Sequence, residues 1–298
     1  MQLGITRIHP LFAAKITGID LGKWMDDDLQ RAIERAMDEY AVCVLPDQSL
    51  DDERQVAFSR FYGPLEMSPG IGRKPDEPVP ENARIRHKEI FDISNLDQKG
   101  DILEENNARS YFMKGNELWH TDSSFRHEGA AWSMLHAKAV PPSGGETEFA
   151  DTRAAYDALS EAMKRRLEGL VAEHSLWHSR SKLGGYVPTE AERTAYPSAR
   201  HKLVRRHPGS GRNALYIAAH ASHIVGMPRE EGQALLEELM EFATRPQFVY
   251  RHTWRVGDLV IWDNRCTMHR ATPYERTDHP RDLRRTTIID RAPELRVG

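Results

Sequence analysis

Leu118-Trp119-His120-Thr121-Asp122 and Trp262-Asp263-Asn264-Arg265-Cys266-Thr267-Met268-His269 are the two stretches from which the rest of the chain is read. On a β-strand, residues i and i+2 point to the same face, with Cα atoms roughly 6–7 Å apart. His120 and Asp122 can therefore turn an imidazole and a carboxylate toward one ion. His269 would complete two histidines and one carboxylate. That set occupies one face of an octahedron and leaves the opposite positions open, as in non-haem Fe(II) centres that use O2.

A His-x-Asp triplet alone carries little weight in a chain with 14 His and 45 acidic residues. Its ordinary reading is a surface pair. The context raises it. An apolar step, Leu118-Trp119, leads in. His269 follows a strand-like run, Asp258-Leu259-Val260-Ile261-Trp262-Asp263, and an arginine-rich strand, Arg281 to Ile289, comes soon after.

Composition narrows the class. At 298 residues the chain can bury a sizeable core as one domain. A net charge of -4 gives no reason to expect nucleic acid or an anionic membrane as partner. No apolar run approaches the ~20 residues that span a bilayer. The start, Met1 to Thr6, lacks a basic segment followed by an apolar one, so no signal peptide is expected. Two cysteines, Cys43 and Cys266, cannot form a disulfide framework and point to a reducing cytoplasm. Cys266 lies near His269, and a buried structural thiol is the expected role.

The fold expected is mostly β with flanking helices. Asp27 to Tyr40 carries Leu29, Ile33, Ala36, Met37 and Tyr40 at helical spacing. Ala41 to Leu45 reads as a buried strand stopped by Pro46. Ser49 is a candidate cap for a helix from Asp52 to about Phe61. Residues 66–90, rich in Pro, Gly and charge, read as a long loop and a candidate lid. Helices are expected over about Thr152 to Leu170 and over Arg229 to Thr244, with Leu235, Leu236, Leu239 and Phe242 buried. Pro208 to Arg212 reads as a hairpin turn. Many short strands with Gly/Pro turns and few helices suggest a β-sandwich or jelly roll.

Strand alternation puts Arg281, Leu283, Arg285 and Thr287 on one face and Arg284 on the other. An inward arginine is costly unless it meets an anion. Two of them suggest two carboxylates in one pocket, or one carboxylate and a structural acid. The planar fork of arginine suits a carboxylate. A solvated edge strand of mixed charge is the bland alternative.

These segments together resemble the taurine dioxygenase family of Fe(II)/2-oxoglutarate-dependent oxygenases, and within it the phenoxyacetate-degrading branch. The blocks are His9 to Ala14, Leu118 to Phe125, Pro141 to Phe149, His220-Ala221-Ser222-His223, Trp262 to Cys266 and Leu283-Arg284-Arg285, spread over about residues 8–290. The resemblance implies a double-stranded β-helix (jelly roll) core in a single domain, 1–298. It implies His120, Asp122 and His269 as iron ligands and catalytic centre, with O2 and 2-oxoglutarate as co-substrates. Thr147 and Arg281 would hold the distal carboxylate of 2-oxoglutarate. Arg285 would meet the acidic group of the substrate. Asn116, His207, His220 and His223 would border the substrate pocket. The His269–Arg281 spacing is one residue longer than is usual in the family, and residues 66–90 follow its phenoxyacetate branch poorly. Relatives assemble, so a homo-oligomer is implied.

The expected reaction hydroxylates the carbon beside the ether oxygen of an aryloxyalkanoate such as 2,4-dichlorophenoxyacetate. The products are a phenol and glyoxylate, with succinate and CO2. A second reading is an alkylsulfonate dioxygenase that releases sulfite. A third, of another class, is a metal-binding jelly roll without redox chemistry, such as a zinc hydrolase. Against the third stand Thr147 and Arg281, since a hydrolase needs no second carboxylate clamp. Trp119, Phe125 and Trp262 are expected as core residues around the ligands.

Overall fold

In the computed structural model, which describes residues 3–23, 26–68, 78–80, 83–104, 110, 113–184 and 187–291, two aspartates set the first two helices. Asp26 and Asp51 sit in extended backbone, and their carboxylates accept from the amides of Leu29 and Arg54. Each bond satisfies an N–H that the first helical turn leaves unpaired. Helix α1 (Asp27–Tyr40) has the expected bounds and buries Ile33, Ala36 and Met37. Helix α2 (Asp52–Arg60) is capped by Asp51 and not by Ser49, because Asp51 is the residue that directly abuts the first turn.

Both helices cover one face of a seven-stranded sheet. Its strands are β1 (Gly4–Arg7), β2 (Ala14–Thr17), β3 (Val42–Leu45), β4 (Phe91–Ser94), β5 (Ala130–Ala139), β13 (Leu259–Asp263) and β15 (Asp282–Ile289). Their order is β1-β2-β3-β13-β5-β15-β4, with β2 and β3 parallel and the other pairs antiparallel. Alternation splits the strands cleanly. Cys43, Leu45, Met134, Leu259 and Ile261 pack with Ile33 and Met37 on the helix side. Val42, Val44, Leu135, Val260, Trp262 and Leu283 form a second core on the other side, with Phe149. Both faces are buried, which is why these strands read as continuous apolar runs.

Phe149 belongs to a second sheet, made of β6 (Thr147–Asp151), β12 (Val249–His252) and β14 (Thr267–Ala271) in the order β12-β6-β14. Its outer face, with Ala150 and Met268, packs on a third core containing Leu235, Leu236 and Leu239 of a long helix (Arg229–Ala243). Phe242 of that helix is half-buried, short of the burial expected. In β14 the neighbour of Met268 is His269, so alternation turns His269 inward, between the two sheets.

A three-stranded sheet, Ala221–Ile224 beside Val171–His174 beside Ala199–Lys202, lies against this outer core. The expected hairpin around residues 208–212 joins Val204–Arg206 to Asn213–Leu215. The helix expected over Thr152 to Leu170 is two helices, Thr152–Asp157 and Glu161–Leu167. Leu159 N–H closes a tight turn on Tyr156 O, and Ser160 then caps the second helix by accepting from the Met163 amide. A serine side chain that competes for backbone hydrogen bonds ends one helix and starts the next. Within 66–90 the described residues form no helix or strand. Leu65 bridges to Ile288, Glu66 N–H donates to Thr287 O, and Ile90 is in the core. Residues 69–77 and 81–82, part of the 66–90 stretch read as a candidate lid, lie outside the described residues. Among the described residues no helix is long and apolar enough to cross a membrane.

Candidate active site

His120 is not part of a regular strand. It makes a single bridge to His269: each residue's N–H donates to the other's carbonyl, at 3.0 and 2.7 Å. The two imidazoles thus come together through the backbone, with ring centroids 4.2 Å apart. Asp122 starts a turn, and Ser123 after it adopts φ 55°. Left-handed backbone at a serine is uncommon and is tolerated here directly beside the carboxylate. His120 Nε2 lies 3.9 Å from one Asp122 oxygen, and His269 Nε2 lies 3.8 Å from the other. One ligand atom from each residue falls within 4.8 Å of the rest, and all three residues are buried.

Proton placement suits a cation. His120 Nδ1 is 2.7 Å from Leu118 O, so Nδ1–H donates and the Nε2 lone pair faces the other donors. Burial drives the pKa of His120 down and that of His269 well below the ordinary value, which keeps both imidazoles neutral. Burial alone would raise the Asp122 pKa. The Arg285 guanidinium, helped by the Ser133 hydroxyl, outweighs it and holds the carboxyl at about 2.

Two residues to which the sequence reading gave no role hold Asp122 in place. Ser133 Oγ donates to Asp122 Oδ2 at 2.7 Å and accepts from Asn264 Nδ2 at 2.9 Å. Asn264 Oδ1 accepts from the Asp122 amide and the Trp262 indole, both at 3.0 Å. Thr121 Oγ1 donates to Asn264 O at 2.6 Å. The signal was present in the sequence. Ser133 is a hydroxyl in a strand of apolar neighbours, and a buried hydroxyl must find partners.

One cavity collects most of the expected residues. Asn116, Thr147, Arg281 and Arg285 line it with His120 and His269, and Ile93, Leu135 and Trp262 form apolar wall. Asn116 stands on a 3-10 turn, Gly115–Glu117. Arg285 is turned onto Asp122 Oδ1 and lies 5.0 Å over the Phe91 ring. Arg281 is 3% exposed. Its Nε and Nη2 donate to Gly145 O, and among the described residues no carboxylate pairs with it. Burial lowers its pKa to about 10. Gly145 takes φ 70°, and a side chain there would crowd the Arg281 guanidinium. Arg284 points the other way, to Asp282 and Asp52, as the alternation requires.

The three other histidines part company. His220 stands beside the centre, its ring 6.2 Å from that of His120 and its Nδ1 3.1 Å from Ser124 Oγ, but it does not line the cavity. His223 is half-buried, paired with Ser222 Oγ, and does not line the cavity. His207 does not line it either. Its Nε2–H donates to Asp263 Oδ2 at 2.9 Å, and its Nδ1 accepts from the Ser210 amide. Of the expected aromatics, Trp262 is core and packs 4.7 Å from the His269 ring. Phe125 packs on His220, and half-buried Trp119 lies under the Arg270 guanidinium. Cys266 is fully buried, as expected of a structural thiol.

Two neutral imidazoles and one carboxylate, with lone pairs converging beside an open cavity, fit Fe(II). An uncompensated guanidinium and a hydroxyl further along the cavity fit a carboxylate.

The family described as "Taurine catabolism dioxygenase TauD, TfdA family" matches residues 4–287. The chain is 47% identical over 292 residues to the alpha-ketoglutarate-dependent 2,4-dichlorophenoxyacetate dioxygenase of Cupriavidus pinatubonensis, covering 98% of this chain and 99% of that one. It is 39% identical to the (S)-phenoxypropionate/alpha-ketoglutarate-dioxygenase of Sphingobium herbicidovorans, covering 92% and 90%. Among solved structures, AAD-2 in complex with Mn(II) and N-oxalylglycine superposes with a TM-score of 0.89 at 41% identity, over 100% of both chains.

Proposed function

The chain belongs to the TauD, TfdA family, and from that premise we propose that this 2-oxoglutarate-dependent dioxygenase cleaves an aryloxyalkanoate. Fe(II), 2-oxoglutarate and O2 are its cofactor and co-substrates. Bound iron supplies activation of O2 coupled to oxidative decarboxylation of 2-oxoglutarate to succinate and CO2.

The chain's own residues do the rest. His120, Asp122 and His269 hold the metal, with Ser133 and Asn264 fixing the carboxylate. Arg281 and Thr147 take the distal carboxylate of 2-oxoglutarate. Arg285 leaves Asp122 to pair with the acid of the substrate, and so aims the carbon between that acid and the ether oxygen at the centre. Orientation of this kind is a large part of the catalytic task. Asn116 lies at the cavity wall, and His220 packs edge to face beside His120. Leu135, Trp262 and Ile93 keep water away. Hydroxylation at the aimed carbon gives a hemiacetal, which collapses to a phenol and glyoxylate.

One observation carries this reading: two arginines from one stretch of chain line the same cavity as His120 and His269, and among the described residues Arg281 meets no carboxylate. That supports two anions in one pocket, the need of a 2-oxoglutarate enzyme with an acidic substrate. The two facing sheets support a jelly-roll reading of the core, as one domain within 1–298. The two buried thiols favour a reducing cytoplasm. Self-assembly of the chain belongs to the same proposal.

The test is anaerobic loading with Fe(II) and 2-oxoglutarate, followed by air with an aryloxyacetate or an alkylsulfonate. Succinate stimulated by the aryloxy acid, with phenol release, is the expected result. Stimulation by the sulfonate alone, with sulfite release, would reject the substrate and keep the dioxygenase.

A further inference from the structure

We propose that Trp254 is a positioning residue for the co-substrate, because its indole N–H fixes the Thr147 hydroxyl as a donor toward the anion beside Arg281. The proposal rests on the reading of the Thr147–Arg281 end of the cavity as the 2-oxoglutarate carboxylate site.

Trp254 lies in the loop between β12 and β13, is 7% exposed, and packs in the core shared by the two sheets. Its Nε1 is 3.0 Å from Thr147 Oγ1. Indole N–H donates and never accepts, whereas a hydroxyl has one proton and two lone pairs. The threonine oxygen must therefore be the acceptor of this bond. Its proton is left for another partner, and among the described residues no protein acceptor takes it. Thr147 is 3% exposed and lines the cavity that Arg281 also lines.

Arg281 shows the same logic. Two of its nitrogens, Nε and Nη2, are spent on Gly145 O, which anchors the guanidinium. Nη1 makes no hydrogen bond among the described residues. The cavity end thus presents a charged donor and a hydroxyl proton, with one of the two threonine lone pairs already taken by Trp254. It selects a carboxylate over a neutral amide or alcohol, and Trp254 removes the alternative hydroxyl orientation. His252 sets the indole in turn, its ring meeting Trp254 edge to face at 4.6 Å.

The test is binding of N-oxalylglycine to the Mn(II)-loaded protein, measured by calorimetry. Trp254→Phe keeps the ring and deletes the N–H. It should weaken binding by about threefold to tenfold, the scale of one neutral hydrogen bond, and leave the KM for the aryloxy acid unchanged. Thr147→Val should weaken binding too, and adding Trp254→Phe to it should cost nothing more. In a Thr147→Ser background, which keeps the hydroxyl, the effect of Trp254→Phe should return. Wild-type affinity in Trp254→Phe would overturn the proposal. So would an equal loss in the Thr147→Val background, which would mark Trp254 as a packing residue only. If wild-type protein loaded with Mn(II) bound no N-oxalylglycine, the carboxylate-site reading would fail first and take the proposal with it.

Discussion

Among the described residues two buried clusters bring similar donors together, and they differ in how far their lone pairs are already engaged. His120, Asp122 and His269 form the first, and His207, Asp263 and Cys266 the second; in each, the ligand atoms lie within 4.8 Å of one another. The difference is one of degree: each Asp122 oxygen accepts a single side-chain bond, from Arg285 or from Ser133, whereas Asp263 is more heavily engaged. Asp263 accepts a forked pair from Arg265, the Trp132 indole at 2.9 Å and His207 Nε2 at 2.9 Å. Arg265 and His207 overcome the cost of burial and hold its carboxyl far below the usual range. The imidazole of His207 is also used at both nitrogens. In the first cluster His120 is anchored through Nδ1 alone, and Nε2 stays open beside a cavity. A metal ligand keeps a lone pair for the ion while its other positions are held by hydrogen bonds.

The largest test of that contrast is a pair of isosteric changes. Asp122→Asn should lose Mn(II) affinity and turnover by more than about 100-fold, beyond what changes around a ligand cost. Asp263→Asn should leave metal stoichiometry and affinity as they are. It should instead lower stability by about 3–5 kcal/mol, the cost of breaking a buried pair from one side. Comparable loss of metal in both variants would erase the distinction.

A second test divides the two arginines. Arg281→Gln should raise the KM for 2-oxoglutarate by about 10- to 100-fold, the worth of a charge-assisted bond, with a small effect on the KM for the aryloxy acid. Arg285→Gln should show the reverse. Equal effects of both variants on both KM values would mean that the cavity does not sort its anions as described.

Ser133→Ala, with its smaller expected effect, sharpens the account of the carboxylate. Removing the hydroxyl between Asp122 and Asn264 should weaken Mn(II) binding about tenfold, with Tm little changed. Unaltered affinity would show that Asn264 alone suffices.

The least specific effect concerns pH. Burial pushes His136 and His178 down to about 4 and His201 to about 3. Groups depressed in the folded state take up protons first in the unfolded chain, near pH 6.5. Their contribution is therefore intact above about pH 6.5 and is lost as pH falls toward 4. Tm of the metal-free protein should drop across that window, and less steeply in His136→Gln. A flat profile there would contradict the burial of these rings.

The sequence made some of this legible and concealed the rest for physical reasons. Helix α1 could be bounded because its apolar spacing and flanking aspartate are local signals. The arginine pair followed from alternation along one strand. His120 and His269 could be proposed as partners, but the single backbone bridge that joins them spans 149 positions and leaves no periodic trace. Ser133 showed only as a hydroxyl among apolar strand neighbours, and its bond to Asp122 could not be read because the partners come from distant segments. His207 read like a pocket residue, since a histidine shows its chemistry in sequence and not the carboxylate that has already taken it. The helix break at Ser160 was missed because apolar spacing ran through it.

The most direct measurement is the ratio of phenol to succinate produced by Fe(II)-loaded protein from an aryloxyacetate, 2-oxoglutarate and air. The account predicts a ratio of about one, because one oxidised substrate accompanies each decarboxylated co-substrate. Succinate formed at the same rate with and without the aryloxy acid, and no phenol, would contradict it.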